Sequence, residues 1–186
     1  MAELPVDATK FAGMSEEQAK TFPRRTLVGD PLSDAQLATM PKMISTDSHV
    51  MEPDELWQEL PKRLSEKLPN VPFRNSPPGA LDANLRLEDQ NNDGVAAEIL
   101  FPNYGMALYG IDDVELQEEG FKLYNDWLTD WCAPDPKRLV GTPLISVYDP
   151  KAAVKELHRS IDKGLRGAVI WQVPDPQLPF SNTEHY

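Results

Sequence analysis

Cysteine and histidine are what this sequence has least of. A single cysteine, Cys132, leaves no internal disulfide to form, which excludes the stapled secreted scaffolds that need several. Only three histidines are present, His49, His158 and His185, so a site built on imidazole has few positions to draw on. Positive charge is also short: 18 Lys and Arg stand against 30 Asp and Glu, a net charge of −12. Nucleic acid and anionic membrane surfaces both demand clustered cations, and neither is expected as a partner. No apolar run approaches the roughly 18 residues of a membrane span. The first twenty residues lack the basic start and apolar core of a secretory signal, and a cytoplasmic protein is the expectation.

What the chain has in excess is proline, 18 residues at roughly twice the usual share of about 5%. Long loops and abruptly ended elements follow from that. Residues 1–42 are polar and punctuated by Pro5, Pro23, Pro31 and Pro41. Ser15 with Gln18, and Ser33 with Gln36, resemble capping boxes before short helices. This segment reads as an N-terminal arm, and residues 43–186 as one domain.

From Met43 the pattern becomes an alternation. Met43–Val50 reads as a strand, and a short helix follows from Pro53 to about Leu68. Pro69–Asp82 reads as a loop. A helix around Leu85–Gln90 ends at Gly94, which suits a left-handed cap. Val95–Pro102 is the apolar run of a strand buried on both faces. Asp112 or Asp113 caps the next helix, where Val114, Phe121, Tyr124, Leu128 and Trp131 form an apolar stripe widened by Leu116, Leu123 and Trp127. Leu139–Val147 is a third strand, with an irregularity expected at Pro143. Asp149-Pro150 starts a helix whose buried face is Val154, Leu157, Ile161 and Leu165, and Leu165–Trp171 is a fourth strand. Alternation of this kind implies βα units around a parallel sheet.

The stretch ISTDSHVMEP, residues 44–53, carries the chemistry. Side chains two apart on a strand share a face, so Asp47 and His49 project together at the strand's C-terminal end, with Ser45 behind them. A carboxylate and an imidazole suit a divalent ion such as zinc, manganese or iron. Glu52 can reach the same ion from the turn. A histidine hydrogen-bonded to Asp47 with no metal is the alternative that this spacing leaves open.

The blocks ISTDSHVMEPDELW, EDQNNDGVAAEILFPNYG and YNDWLTDWCAPDPKRLVGTPLISVYDPKAAVKELHRSIDKGLRGAVI resemble, in order, those of the amidohydrolase-related (amidohydrolase 2) family. The resemblance runs over residues 43–186. It implies a TIM-like (β/α)8 barrel, a divalent metal cofactor and a small-molecule substrate. The implied activity is hydrolysis of C–N or C–O bonds, or alternatively decarboxylation of aromatic and enoic acids. The family's usual His-x-His pattern is replaced here by Asp47-x-His49. Its further parts, two histidines after later strands and a late aspartate, have no counterpart among the four strands expected here. The fold expected is therefore the N-terminal part of a barrel, about four βα units. It belongs either to a longer enzyme, with catalytic residues beyond Tyr186, or to a half-barrel completed by pairing with another chain, a second copy or a separate C-terminal half. A non-catalytic half-barrel scaffold is the alternative from another class.

Asn103, Tyr104 and Gln172 follow strands and are candidate substrate contacts at the barrel mouth. His158 reads as a surface residue in mid-helix. Trp57, Trp127 and Trp131 read as packing residues, Cys132 as structural, and Glu115, Glu118 and Glu119 as a solvated helix face.

Overall fold

A computed structural model describes Ala35, residues 43–69 and residues 76–186. The expected arm of residues 1–42, with its helix starts at Ser15 and Ser33, lies outside the described residues except for Ala35, which is helical. The described chain alternates as the apolar periodicity requires. Strand β1 (Met43–His49) leads through short helices α1 (Asp54–Gln58), α2 (Lys62–Ser65) and α3 (Pro78–Leu81) to α4 (Ala83–Asp93). Strand β2 (Val95–Phe101) runs into a 3-10 helix, Tyr104–Gly110, and then the long helix α5 (Val114–Cys132). Strand β3 (Leu139–Gly141) and helix α6 (Pro150–Asp162) follow. The three strands form one parallel sheet in the order β1-β2-β3.

Helix boundaries follow local chemistry. Asp82 caps α4 by accepting from the Asn84 and Leu85 amides, and Gly94 closes it at φ 70°, a conformation that costs a side-chain-bearing residue about 1–2 kcal/mol. Of the two cap candidates for α5, Asp113 is the one used, accepting from Leu116 N at 3.0 Å. Asp149 accepts from Lys151 N at 2.9 Å and Pro150 occupies the first helical turn.

Other elements differ from the sequence expectation. The helix expected over residues 53–68 is two, because Pro61 brings no amide hydrogen to continue the first. The expected loop at 69–82 contains α3, started by Pro78 in its first turn. The third strand is only three residues long, since Pro143 cannot donate to a ladder. The fourth is reduced to one parallel bridge, Leu144 with Val169, supported by Ile145 N→Val169 O at 2.9 Å and Val169 N→Pro143 O at 2.8 Å. The face expected to be buried on α6 is largely open: Val154 and Ile161 are exposed, while Ala153 and Ser160 are buried.

The core lies between α5 and the sheet. Leu116, Phe121, Tyr124, Leu128 and Trp131 pack with Leu100, Leu139, Leu144 and Leu165, and Trp57 and Leu64 close one side. Each such side chain contributes roughly 1.5–3 kcal/mol by leaving water. Helix and sheet approach so closely at Gly141 that an added Cβ would lie 2.8 Å from both Leu128 and Leu165.

Where the ladder fails after β3, a side chain replaces it. Buried Asn125 on α5 donates Nδ2 to Leu144 O at 3.0 Å and accepts Leu144 N on Oδ1 at 2.8 Å. It thus stands in for a neighbouring peptide group. Asn125→Leu strands both buried groups, at about 1–3 kcal/mol each. We expect a loss of at least about 2 kcal/mol in urea unfolding; a change below about 0.5 kcal/mol would show that Leu144 finds other partners.

Candidate functional site

Strand β1 is an irregular strand with little cover. Among the described residues it pairs with β2 alone, and its register slips between Met43 and Ile44 and again between Ser45 and Ser48. The second slip breaks the two-residue alternation. Ser45 does not stand behind Asp47 and His49 as the spacing suggests; its Oγ meets Ser48 Oγ at 2.8 Å. Ser48 in turn donates to Glu98 Oε1 of β2 at 2.9 Å. Such bulges re-aim side chains and are frequent beside functional sites.

At the C-terminal end of β1, His49 Nδ1 lies 2.8 Å from the carbonyl oxygen of Pro102. A carbonyl only accepts, so Nδ1 donates to it, and in the neutral ring the lone pair then lies on Nε2. That lone pair faces Asp47, whose Oδ1 is 3.7 Å from Nε2. The carboxylate oxygen and this ring nitrogen face each other beyond hydrogen-bond distance. A pair of metal–ligand bonds of about 2.1 Å spans up to about 4.2 Å, so one divalent ion fits the gap and would satisfy both. The donor set, one hard oxygen and one imidazole nitrogen, suits zinc, manganese or iron.

Glu52, expected as a third donor, is engaged elsewhere. It is 2% exposed, and its oxygens accept the amides of Asn103, Tyr104 and Gly105 at 2.9–3.2 Å. It caps the start of the 3-10 helix, whose first amides have no partner of their own. Among the described residues no three His, Cys, Asp or Glu side chains converge in a set that could hold a metal. Burial raises the Glu52 pKa above the ordinary carboxylate value, opposed by those backbone amides.

The candidate substrate contacts separate. Tyr104 stacks on Trp57 and donates its hydroxyl to Pro69 O at 2.6 Å; it lines a surface cleft with Asp54, Lys62 and Leu68. Gln172 lines a different cleft, with Tyr109, Tyr148 and Trp171. Asn103 is exposed at the start of the capped turn. His158 is exposed on α6, and His185 donates from Nε2 to Val147 O at 3.0 Å. Cys132 is buried, its thiol pKa pushed up to about 12 by desolvation, so it is not a nucleophile at neutral pH. Residues that sequence reasoning missed are Ser48, Arg86, Gln90 and Glu98, which join behind the site. One signal was available: Glu98 is the single charge in the apolar run of β2, and a buried charge demands partners.

No family model matches the chain. It is 30% identical over 125 residues to the gamma-resorcylate decarboxylases of Polaromonas sp. (strain JS666), Rhizobium radiobacter and Rhizobium sp. (strain MTP-10005). That match covers 67% of this chain and 33% of each relative. The crystal structure of 2,6-dihydroxybenzoate decarboxylase from Rhizobium matches with a TM-score of 0.53 at 28% identity, over 75% of this chain and 42% of that one. The fold is part of a TIM-like (β/α)8 barrel. A further neighbour sharing the fold is 5-carboxyvanillate decarboxylase from Novosphingobium aromaticivorans, complexed with manganese. Its TM-score is 0.53 at 18% identity, over 77% of this chain and 45% of that one. The chain thus spans about one third of the length of the curated relatives it matches.

Glu52 generates two expectations. Glu52→Ala leaves three amides without an acceptor and is expected to cost about 2–4 kcal/mol in chemical denaturation. Because the folded state holds the Glu52 proton more tightly than the unfolded state, this group's stabilisation is complete below the ordinary carboxylate pKa. It is lost as pH rises through the raised value. The stability of the wild-type chain relative to Glu52→Gln should therefore fall from acid toward neutral pH; an unchanged difference would contradict the buried-carboxylate assignment.

Proposed function

We propose that this chain supplies the first metal-binding strand of a divalent-metal-dependent decarboxylase acting on hydroxylated aromatic carboxylic acids. The observation that carries the reading is the facing pair of a carboxylate oxygen and an imidazole nitrogen, Asp47 Oδ1 and His49 Nε2, 3.7 Å apart with Nδ1 committed to Pro102. Support for the chemistry comes from the relatives at 28–30% identity, which act on gamma-resorcylate and 2,6-dihydroxybenzoate. Hydrolysis of C–N or C–O bonds, expected from the family resemblance, has no such support and takes second place.

In this reading His49 contributes a neutral nitrogen donor, and Asp47 contributes one negative charge against the ion's two. The Pro102 carbonyl keeps the imidazole in the tautomer that can ligate. A bound manganese, zinc or iron ion would polarise the oxygen atoms of the substrate. The bond between ring carbon and carboxylate breaks, CO2 leaves, and the ring carbon takes up a proton. The remaining metal donors and the proton source come from the rest of the barrel. Either a further C-terminal half or a second copy of the chain would supply it, and would also cover Met43 and Ile44, exposed on β1. That exposure also supports the scaffold reading, in which β1 pairs with a partner and no metal is held.

Manganese titration followed by electron paramagnetic resonance tests this directly. One weak site is expected, lost in Asp47→Ala and in His49→Ala while the circular dichroism spectrum stays unchanged. Equal binding by the variants, or none by the wild type, would sink the metal reading and favour the scaffold. The choice of reaction is tested by placing residues 43–186 in the matching segment of the Rhizobium decarboxylase. Manganese-dependent CO2 release from 2,6-dihydroxybenzoate, abolished by His49→Ala, is expected. A folded chimera that instead cleaves amides or esters would restore the hydrolase assignment.

A further inference from the structure

His49 is held from three directions, and one of them comes from a helix. Its ring is fixed by Pro102 O, and the next amide, Val50 N, donates to Phe101 O at 3.0 Å. Its own carbonyl accepts from Arg86 Nη2 of α4 at 2.7 Å. The same guanidinium donates Nε to Gly79 O at 2.6 Å and Nη1 to Glu98 Oε1 at 3.2 Å. Arg86 and Glu98 side chains are only 14% and 10% exposed, so the pair lies in a setting where water competes little. Glu98 also accepts from Ser48 Oγ and from Gln90 Nε2, at 2.9 and 2.7 Å. One ion pair therefore grips the Ser48 side chain and the His49 carbonyl together. It does so immediately after the register slip of β1, where the ladder holds the strand least.

We propose that Arg86, seated by Glu98, is a positioning residue for His49. By fixing the Ser48–His49 backbone it holds the imidazole against Pro102 O, with Nε2 turned toward Asp47. The proposal rests on the reading of Asp47 and His49 as metal donors for its purpose, but not for its geometry. Lysine cannot replace arginine here, because three acceptors at Gly79, Glu98 and His49 are met by three nitrogens of one planar fork. Glu98→Gln weakens the anchor more gently. Gln90 Oε1 is buried without a partner, so the Gln90 amide can flip and accept from the new side chain.

The test is long-range proton–nitrogen correlation NMR on the 15N-histidine-labelled 186-residue chain, with its three imidazoles assigned through His49→Ala and His158→Ala. The wild type is expected to show the Nδ1-protonated pattern for His49. Arg86→Lys and Glu98→Gln should shift it toward a mixture with the Nε2-protonated form, leaving His158 unchanged. Manganese affinity should fall about 10- to 100-fold, the usual effect of losing a ligand's outer support. If Arg86→Lys does not fold, Glu98→Gln decides the matter. A folded variant with an unaltered His49 pattern overturns the proposal even where its melting temperature drops, since lost stability alone is the mark of a purely structural ion pair. Failure of the metal reading looks different: manganese would leave the wild-type His49 signals unbroadened, and the tautomer comparison would still decide the role of Arg86.

Discussion

A carboxylate almost cut off from water must be neutralised where it lies, and Glu98 meets that demand with partners from two elements. Arg86 and Gln90 reach it from α4, and Ser48 reaches it from β1. Leaving such a charge unpaired costs several kcal/mol, so the packing of α4 on the sheet and the register of β1 are tied to one another. The apolar contribution to β1 is slight, with Met43 and Ile44 exposed. Register in a strand without a buried face is weakly specified. Here a hydroxyl at Ser48, and no hydroxyl one step either way, is the residue that meets Glu98. The buried ion pair thereby selects one alignment of the strand that carries Asp47 and His49.

Elements whose causes are local were legible in the sequence. Gly94 and Asp149-Pro150 mark their helix ends through their own backbone and side-chain chemistry. The apolar stripe from Phe121 to Trp131 lies along one face of its helix, as its period requires, and packs in the core. Pro143 announced an irregularity, but the repair did not show: Asn125 meets Leu144 across 19 residues, and no short-range pattern encodes that. Val154 and Ile161 carry the right period and are exposed all the same, because periodicity says which residues share a face and not what covers it.

The site was legible in the same uneven way. Asp47 and His49 lie close because they are two apart on a strand. Ser45 should have joined them, and the register slip sends it to Ser48 instead. Glu52 has the right charge and spacing to reach an ion from the turn. The amides at the start of the 3-10 helix make a stronger claim on it, since each would otherwise lack an acceptor within the turn. Arg86 read as an ordinary helix residue, its reach to His49 O spanning 37 positions.

The exit of β2 sets the chemistry at the end of β1. Proline at position 102 has no amide hydrogen, so the strand ends there, and its carbonyl, outside the ladder, meets the His49 ring. The next three residues turn their amides the other way, onto Glu52. A single short turn therefore gives an acceptor to one residue of the β1 exit and donors to another. The tautomer of His49 is fixed by a carbonyl, which cannot lose its accepting role with pH as a carboxylate partner would. The carboxylate that stands nearest, Asp47, is left uncommitted toward Nε2. An orienting carboxylate on Nδ1 would raise the negative charge around the imidazole; a carbonyl orients without adding charge. The arrangement leaves the Asp47 carboxylate where it can face a cation, which is the polarity that a divalent ion requires.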